Sequence, residues 1–209
     1  MSTLRTITGF KERLAGGGAR PNLFEVEISN FPEPIKSLWS TGPGQQAETF
    51  QFLCKTAALP ASNVSPIDVP FRGRILKVAG DRTFDVWTVT VINDEDFQLR
   101  TAFELWMNHI SKLENNTGAT SPASYMTDAY VHQLGRGAGT RNSDKGSDSS
   151  NSTEIKPLRT YKFYDIFPTN VSEIALSYDS SDTIEEYTVE FQVQWWSALS
   201  SDSTDTEIK

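Results

Sequence analysis

The side chains able to act chemically on a substrate are few, and their spacing does not assemble a reactive group. Cys54 is the single cysteine, and the only histidines are His109 and His132. A thiol nucleophile needs a base within hydrogen-bond reach, and no His/Asp pair is placed to supply one. Cys54 instead shares an alternating run with Phe50 and Phe52, which reads as a small core residue. His109 falls at the edge of an apolar helical stripe and His132 on a different element, so each reads as a satisfied or exposed histidine rather than a ligand or base. Arg72-Gly73-Arg74 sets two guanidiniums around a glycine. The glycine-rich strand-to-helix context of a phosphate site is missing, so a salt-bridging or interface role is expected there. There is no HExxH, no phosphate-binding loop and no nucleophile motif, and the sequence points away from an enzyme, a bound metal or a cofactor.

Carboxylates and amides, by contrast, recur in a pattern. Glu25 and Glu27 alternate with Phe24, Val26 and Ile28. Glu173 and Asp179 bracket Ile174, Leu176 and Tyr178. Glu186, Glu190, Gln192 and Gln194 alternate with Tyr187, Val189, Phe191, Val193 and Trp195. A period of two puts the two sets on opposite faces of a strand. Each of these three stretches carries a polar face without lysine, where soluble sheets commonly mix signs. Plain solvation explains this, and so does a channel wall for a polyanion, because like charge removes the counterion-release gain by which DNA adheres to proteins. With 19 basic against 27 acidic residues the net charge is -8, which argues against a basic nucleic-acid-binding patch.

The elements that must position these groups follow from the rest of the chain. At 209 residues, 37% hydrophobic and 11% aromatic, it can bury a full core as one domain. One cysteine allows no internal disulfide and suits a reducing cytoplasm. The first twenty residues lack the apolar run of about 7 to 15 residues of a secretory signal, and no stretch approaches the roughly 20 apolar residues of a membrane span, so a soluble chain without a cleaved signal is expected. Leu4, Ile7, Phe10 and Leu14 precede Gly16-Gly17-Gly18 and predict an N-terminal arm over 1–19, either docked on a subunit or frayed.

Residues 31–48 read as a loop and Thr49 to Thr56 as a strand. Leu59 to Ile75, interrupted by Pro60, Pro66 and Pro70, reads as a long ordered excursion whose Leu59, Val64, Ile67, Val69 and Phe71 need a cover. Ala79-Gly80-Asp81 predicts a turn into a strand carrying Trp87, Val89 and Val91, covered on both faces. Asn93 as N-cap, with Asp94, Glu95 and Asp96, predicts a helix to about Leu113 with Leu99, Phe103, Trp106, Ile110 and Leu113 on one stripe. Strand character returns over Tyr125 to Gln133. A further strand sets Tyr161, Phe163 and Asp165 against Lys162, Tyr164 and Ile166 and ends at Phe167-Pro168-Thr169-Asn170. The polar tract over 135–154 predicts a flexible insertion, and 197–209 an acidic tail, leaving 20–196 as the domain.

Four segments carry a family resemblance: Ala19-Arg20-Pro21-Asn22-Leu23-Phe24-Glu25-Val26, Cys54-Lys55-Thr56-Ala57-Ala58-Leu59-Pro60, Ala79-Gly80-Asp81-Arg82-Thr83-Phe84-Asp85-Val86-Trp87-Thr88-Val89 and Pro168-Thr169-Asn170-Val171-Ser172-Glu173. In this order they resemble the tail tube proteins of T4-like contractile-tailed bacteriophages, a family related to type VI secretion tube proteins. The resemblance implies a mainly β fold, a β-barrel or sandwich with one flanking α-helix and a long protruding β-hairpin over Ala57 to Gly80. It implies a structural virion protein, assembled as hexameric rings stacked into a tube through which DNA is ejected without specific binding. The implied partners are other copies of the chain, the tail sheath protein, and baseplate and tail terminator proteins. The implied location is the virion tail, with assembly in the host cytoplasm.

On that reading Glu25, Glu27, Glu173, Asp179, Glu186, Glu190, Gln192 and Gln194 are candidates to line the lumen. Leu4, Ile7, Phe10, Leu59, Val69, Phe71, Arg72 and Arg74 are candidates for contacts between subunits and rings. The loop over 32–47 and the 135–154 insertion are longer than the family pattern and are expected to decorate the tube exterior or meet the sheath, and the acidic tail after Trp195 is also extra. Two alternatives remain. One is the inner tube of a type VI secretion or related contractile injection system; the other is a carbohydrate- or protein-binding β-sandwich with Trp39 and Trp196 as an aromatic platform.

Overall fold

The computed structural model describes residues 7–14, 18–36, 50–51, 53–135 and 157–200. Nine strands form: β1 (Phe24–Ile28), β2 (Cys54–Ala57), β3 (Ser62–Phe71), β4 (Arg74–Phe84), β5 (Trp87–Ile92), β6 (Thr127–Leu134), β7 (Pro157–Val171), β8 (Glu186–Gln192) and β9 (Trp195–Ser200). Helices α1 (Ile7–Arg13), α2 (Glu33–Lys36) and α3 (Gln98–Ile110) accompany them. Seven strands make one sheet in the open order β1-β6-β7-β8-β5-β2, with β9 also on β7, while β3 and β4 pair only with each other. The mainly β expectation holds, with one substantial helix and one long hairpin. The chain divides into two compact units, Met1–Glu25 with Val131–Tyr161 and Ala198–Lys209, and Val26–Tyr130 with Lys162–Ser197.

The larger unit owes its core to period-two alternation meeting a helical stripe. Trp87, Val89 and Val91 of β5 lie against Tyr187, Val189 and Phe191 of β8, the antiparallel partner strand. Leu99, Ala102, Phe103 and Trp106 bring the buried side of α3. Phe103 is the hub, with ring centroids 5.9 Å from Phe50, 5.8 Å from Phe191, 6.4 Å from Phe31 and 6.5 Å from Tyr187. Trp87 stacks on Phe163 at 4.8 Å, and Trp106 donates its indole N–H to the Tyr125 carbonyl at 2.8 Å. Each such aromatic contributes roughly 1.5 to 3 kcal/mol of burial before entropy is subtracted. In the smaller unit, Leu134 N–H donates to the Leu23 carbonyl, and Gln133 Nε2 donates to the carbonyls of Arg20 and Leu23.

Several sequence expectations are corrected. Gly80 is no turn: it sits inside β4, opposite a bulge between Val64 and Pro66, where a Cβ would come within 2.6 Å of the Ser65 carbonyl oxygen. The turn is at Arg72 and Gly73, both with positive φ (45° and 82°), and it joins the Phe71↔Arg74 pair as a two-residue loop. The proline-rich segment therefore is a strand, because Pro66 and Pro70 lie on a ladder that has an outer edge needing no donor. The hairpin runs from Ser62 to Phe84 instead of Ala57 to Gly80.

The strand expected over Thr49 to Thr56 is confined to Cys54–Ala57. Phe50 precedes it in a helical turn, so Phe50 and Cys54, four residues apart, are both buried. Residues 33–36 are helical within the expected loop and bury Ile35. The helix begins at Gln98 rather than Asp94, because Asn93 bonds to Glu185 through both its backbone N–H and its side chain and Phe97, at φ 52°, takes the cap position. Leu113 lies beyond the helix end and is exposed. The second face of β5, Thr88, Thr90 and Ile92, is only half-buried.

Asp165 adopts φ 53° and breaks the alternation of β7, so Phe163 and Ile166 both reach the core and the strand continues through buried Pro168 to Val171. No strand forms over 173–179; that stretch is an exposed loop. The final alternation breaks at Val193 and Gln194, which turns Trp195 out of the core, and β9 extends into the segment expected to be tail. Leu4, Phe52, Trp39, most of the 32–47 loop, residues 136–154 and the chain after 200 lie outside the described residues. Replacing Phe103 with Ala, which leaves four rings without their common partner, is expected to lower unfolding free energy by about 3 to 5 kcal/mol in urea titration followed by tryptophan fluorescence.

Candidate functional site

The hairpin is the first candidate surface. All ten residues of β3 are exposed, and so are most of β4. Val64, Ile67, Val69, Phe71, Ile75, Leu76 and Val78 are large apolar side chains left in water, with Phe71 65% and Ile75 63% exposed. Leu59, just before the hairpin, is also exposed. A contiguous apolar surface of this kind marks a binding surface. Its cations are arranged around it: the Arg72 guanidinium lies 5.4 Å from the Phe71 ring centroid, and Lys77 pairs with Asp68 at 2.7 Å. The structure brings Val69, Phe71, Arg72 and Arg74 together near one tip. Ile7 and Phe10 are also exposed, on α1.

The second candidate is the polar face of the main sheet. Glu25 and Glu27 lie opposite buried Val26 and Ile28 on β1. Glu186, Glu190 and Gln192 lie opposite buried Tyr187, Val189 and Phe191 on β8, and Gln194 is exposed at the break before β9. Glu173 and Asp179 are not on any strand face; both are exposed on the loop between β7 and β8.

Strand pairing adds cations that reading each strand alone did not reveal. Lys55, from β2, ion-pairs with Glu186. Lys162, on β7, pairs with Asp128 at 3.2 Å and lies 4.4 Å from the Tyr164 ring centroid. Burial disfavours the charged form of Lys162, but its hydrogen bond to Asp128 and the neighbouring charges outweigh this and raise its pKa. Tyr164 in turn stacks on Trp195 at 3.7 Å, a pairing hidden by the break in alternation.

The Cys54 thiol is held in an unreactive setting. Cys54 is buried, its thiol directed to the Thr56 carbonyl at 3.5 Å, and desolvation pushes its pKa up to about 12. His109 keeps a buried Nε2 without a hydrogen-bond partner, against the expectation of a satisfied or exposed ring, whereas His132 Nδ1 lies 2.9 Å from the Thr160 hydroxyl. Trp196 is half-buried with its ring 6.4 Å from Phe84, and Trp39 is outside the described residues, so no aromatic platform is formed among the described residues. Among the described residues no group of three or more His, Cys, Asp or Glu is arranged to hold a metal, and no helix is long and apolar enough to cross a membrane.

Residues 19–199 match the family model for the phage tail tube protein. The chain belongs to the phage tail tube protein family. It is similar to the tail tube protein gp19 of Enterobacteria phage T4, 37% identical over 182 residues that cover 87% of this chain and 93% of the relative. Among solved structures it is similar in fold to a chain of the anti-feeding prophage baseplate, with TM-score 0.57, 12% identity and coverage of 89% and 98%. It is similar as well to a chain of the sheath-tube complex of an extracellular contractile injection system, with TM-score 0.52, 12% identity and coverage of 91% and 97%. As a phage tail tube protein the chain is a structural component of the virion, of the type found in contractile tails.

The buried thiol gives a test of this inert reading. Below pH 9 the folded and unfolded chains both keep the Cys54 proton, and its contribution to stability is intact. Between pH 9 and about 12 the unfolded chain releases it first, so stability falls as pH rises. Tyr187, whose buried hydroxyl is likewise pushed up mainly by desolvation, adds in the same direction. A thiol reagent at pH 8 is expected to label the native chain on the order of 10³-fold more slowly than the urea-unfolded chain, in keeping with its smaller thiolate fraction. Cys54→Ala is expected to flatten part of the alkaline loss of stability.

Proposed function

We propose that copies of this chain assemble as hexameric rings stacked into the inner tube of a contractile phage tail, the conduit for DNA ejection. The observation that carries this reading is the hairpin: a family member exposes a ladder of large apolar residues that no other described residue covers, as a surface made for a neighbouring copy does. Leu59, Val69, Phe71, Arg72 and Arg74 then contact neighbouring subunits or rings, and Ile7, Phe10 and Leu4 of the arm add to those contacts. The outer strands β1 and β2 of the open sheet order have edges that joining with neighbours removes.

The polar sheet face becomes the lumen wall. Glu25, Glu27, Glu186, Glu190, Gln192 and Gln194 repel or ignore a passing polyanion, and Lys55 and Lys162 are held in ion pairs and so offer DNA little free charge. The domain runs from residue 20 through β9 to Ser200. Its partners are the tail sheath, baseplate and terminator proteins, and assembly takes place in the host cytoplasm. No turnover belongs to this role. The 37% identity to a phage tail tube protein favours a phage tail over a type VI secretion tube.

Negative-stain electron microscopy of the purified chain, alone and with tail nucleation components, is expected to show rings or tubes with an open centre. A chain that remains monomeric in both conditions contradicts the proposal. Val69→Asp with Phe71→Asp is expected to leave a folded, monomeric protein by circular dichroism and sedimentation velocity.

A further inference from the structure

The loop between β7 and β8, residues 172–185, is a second exposed surface whose composition is the counterpart of the hairpin tip. It contains Glu173, Asp179, Asp182 and Glu185 and neither lysine nor arginine. Among these carboxylates Glu185 is engaged by Asn93, while Glu173, Asp179 and Asp182 are exposed and have no cationic partner among the described residues. Between them Leu176, Tyr178 and Ile184 point into water, at 80%, 108% and 71% exposure. The base of the loop is fixed: Ser172 N–H donates to the Thr188 carbonyl, Thr188 N–H donates to Ser172 Oγ, and Arg100 donates to the Ser172 carbonyl at 3.1 Å. Turn bonds from Ser180 N–H to the Ser177 carbonyl and from Asp179 N–H to Ser177 Oγ shape its outer part.

The hairpin tip reads as its complement. Phe71-Arg72-Gly73-Arg74-Ile75 has two guanidiniums, two exposed apolar side chains and no acid. Asp68, the nearest carboxylate on β3, is already paired with Lys77, and neither Arg72 nor Arg74 has a carboxylate partner among the described residues. With about 3.3 Å per residue over ten residues, β3 carries this tip roughly 30 Å from the hairpin root. Both surfaces belong to the larger unit and both are exposed in the lone chain, so neither covers the other within it.

We propose that the hairpin tip of one copy seats on the 172–185 loop of a second copy, with Arg72 and Arg74 facing Asp179 and Asp182 and with Phe71 packing on Leu176 and Tyr178. The contact rests on the tube reading above and gives it a partner surface. It assigns Glu173 and Asp179 to a contact between copies instead of to the lumen. Charge complementarity selects this loop over the other carboxylate-bearing surface: the β1 and β8 faces carry Glu25, Glu27, Glu186 and Glu190 but no exposed large apolar residue beside them. Because tip and loop are different patches of one chain, the contact is heterologous and repeats from copy to copy, which is the geometry that propagates rings or stacks.

Charge reversal tests it. Arg72→Glu with Arg74→Glu, and separately Asp179→Lys with Asp182→Lys, are each expected to reduce the pelletable, tube-forming fraction about tenfold or more, since like charges then oppose across the contact. Folding of each is checked by circular dichroism. Combining all four changes in one chain is expected to restore tubes, because the signs are then exchanged rather than lost. Tubes from either half-reversed chain at the wild-type level, or no recovery in the combined chain, overturn the contact while wild-type tubes leave the tube reading standing. A wild-type chain that forms no tube even with nucleation components overturns both.

Discussion

An isolated two-stranded ladder is marginal in water. Here one is extended over Ser62–Phe71 and Arg74–Phe84, paired only with itself, and it exposes Val64, Ile67, Val69, Phe71, Ile75, Leu76 and Val78. Hydrogen bonds between the strands satisfy only their inner edges, and none of the described residues covers the apolar surface. That imbalance sets the demand on everything else: the rest of the molecule must hold the hairpin's root firmly, and in the proposed tube a second copy covers its length.

The root is held by short, specific contacts. Asp85 N–H donates to the Ala61 carbonyl and Ala58 N–H to the Thr88 carbonyl, which closes the base of the hairpin onto β5. Asn63 donates to the Asp85 carboxylate at 3.0 Å, and Phe84 meets Trp196 edge to face. Two residues further along, Trp87 is fully buried between Phe163 and Phe191. The strand that leaves the hairpin is therefore anchored at once in the densest part of the core.

How much of this was legible in the sequence depends on whether the signal was local. Strands β1, β5 and β8 and the buried stripe of α3 followed from period, because each keeps one unbroken phase along its buried face. Period failed where a backbone irregularity intervenes: Asp165 at φ 53° and the break at Val193 and Gln194 each shift the phase of a strand, and no side-chain pattern announces them. Gly80 was misread because glycine serves both turns and close backbone approach, and here it makes room for the Ser65 carbonyl across a bulge. Asn93 was misread as a cap because its partner, Glu185, is distant in sequence. For the candidate surfaces, the apolar hairpin residues and Arg72 and Arg74 stand out in the sequence because their composition is odd for a loop. Lys55 and Lys162 escaped because their carboxylate partners arrive from other strands.

Hydrogen–deuterium exchange, followed by mass spectrometry on the free and the assembled chain, bears most directly on the claim that the hairpin is an assembly element. Amides of 62–84 are expected to exchange quickly in the free chain and to slow by about tenfold or more on assembly, while β5 and β8 stay protected in both. Hairpin amides that exchange equally fast in the assembled particle would contradict the account.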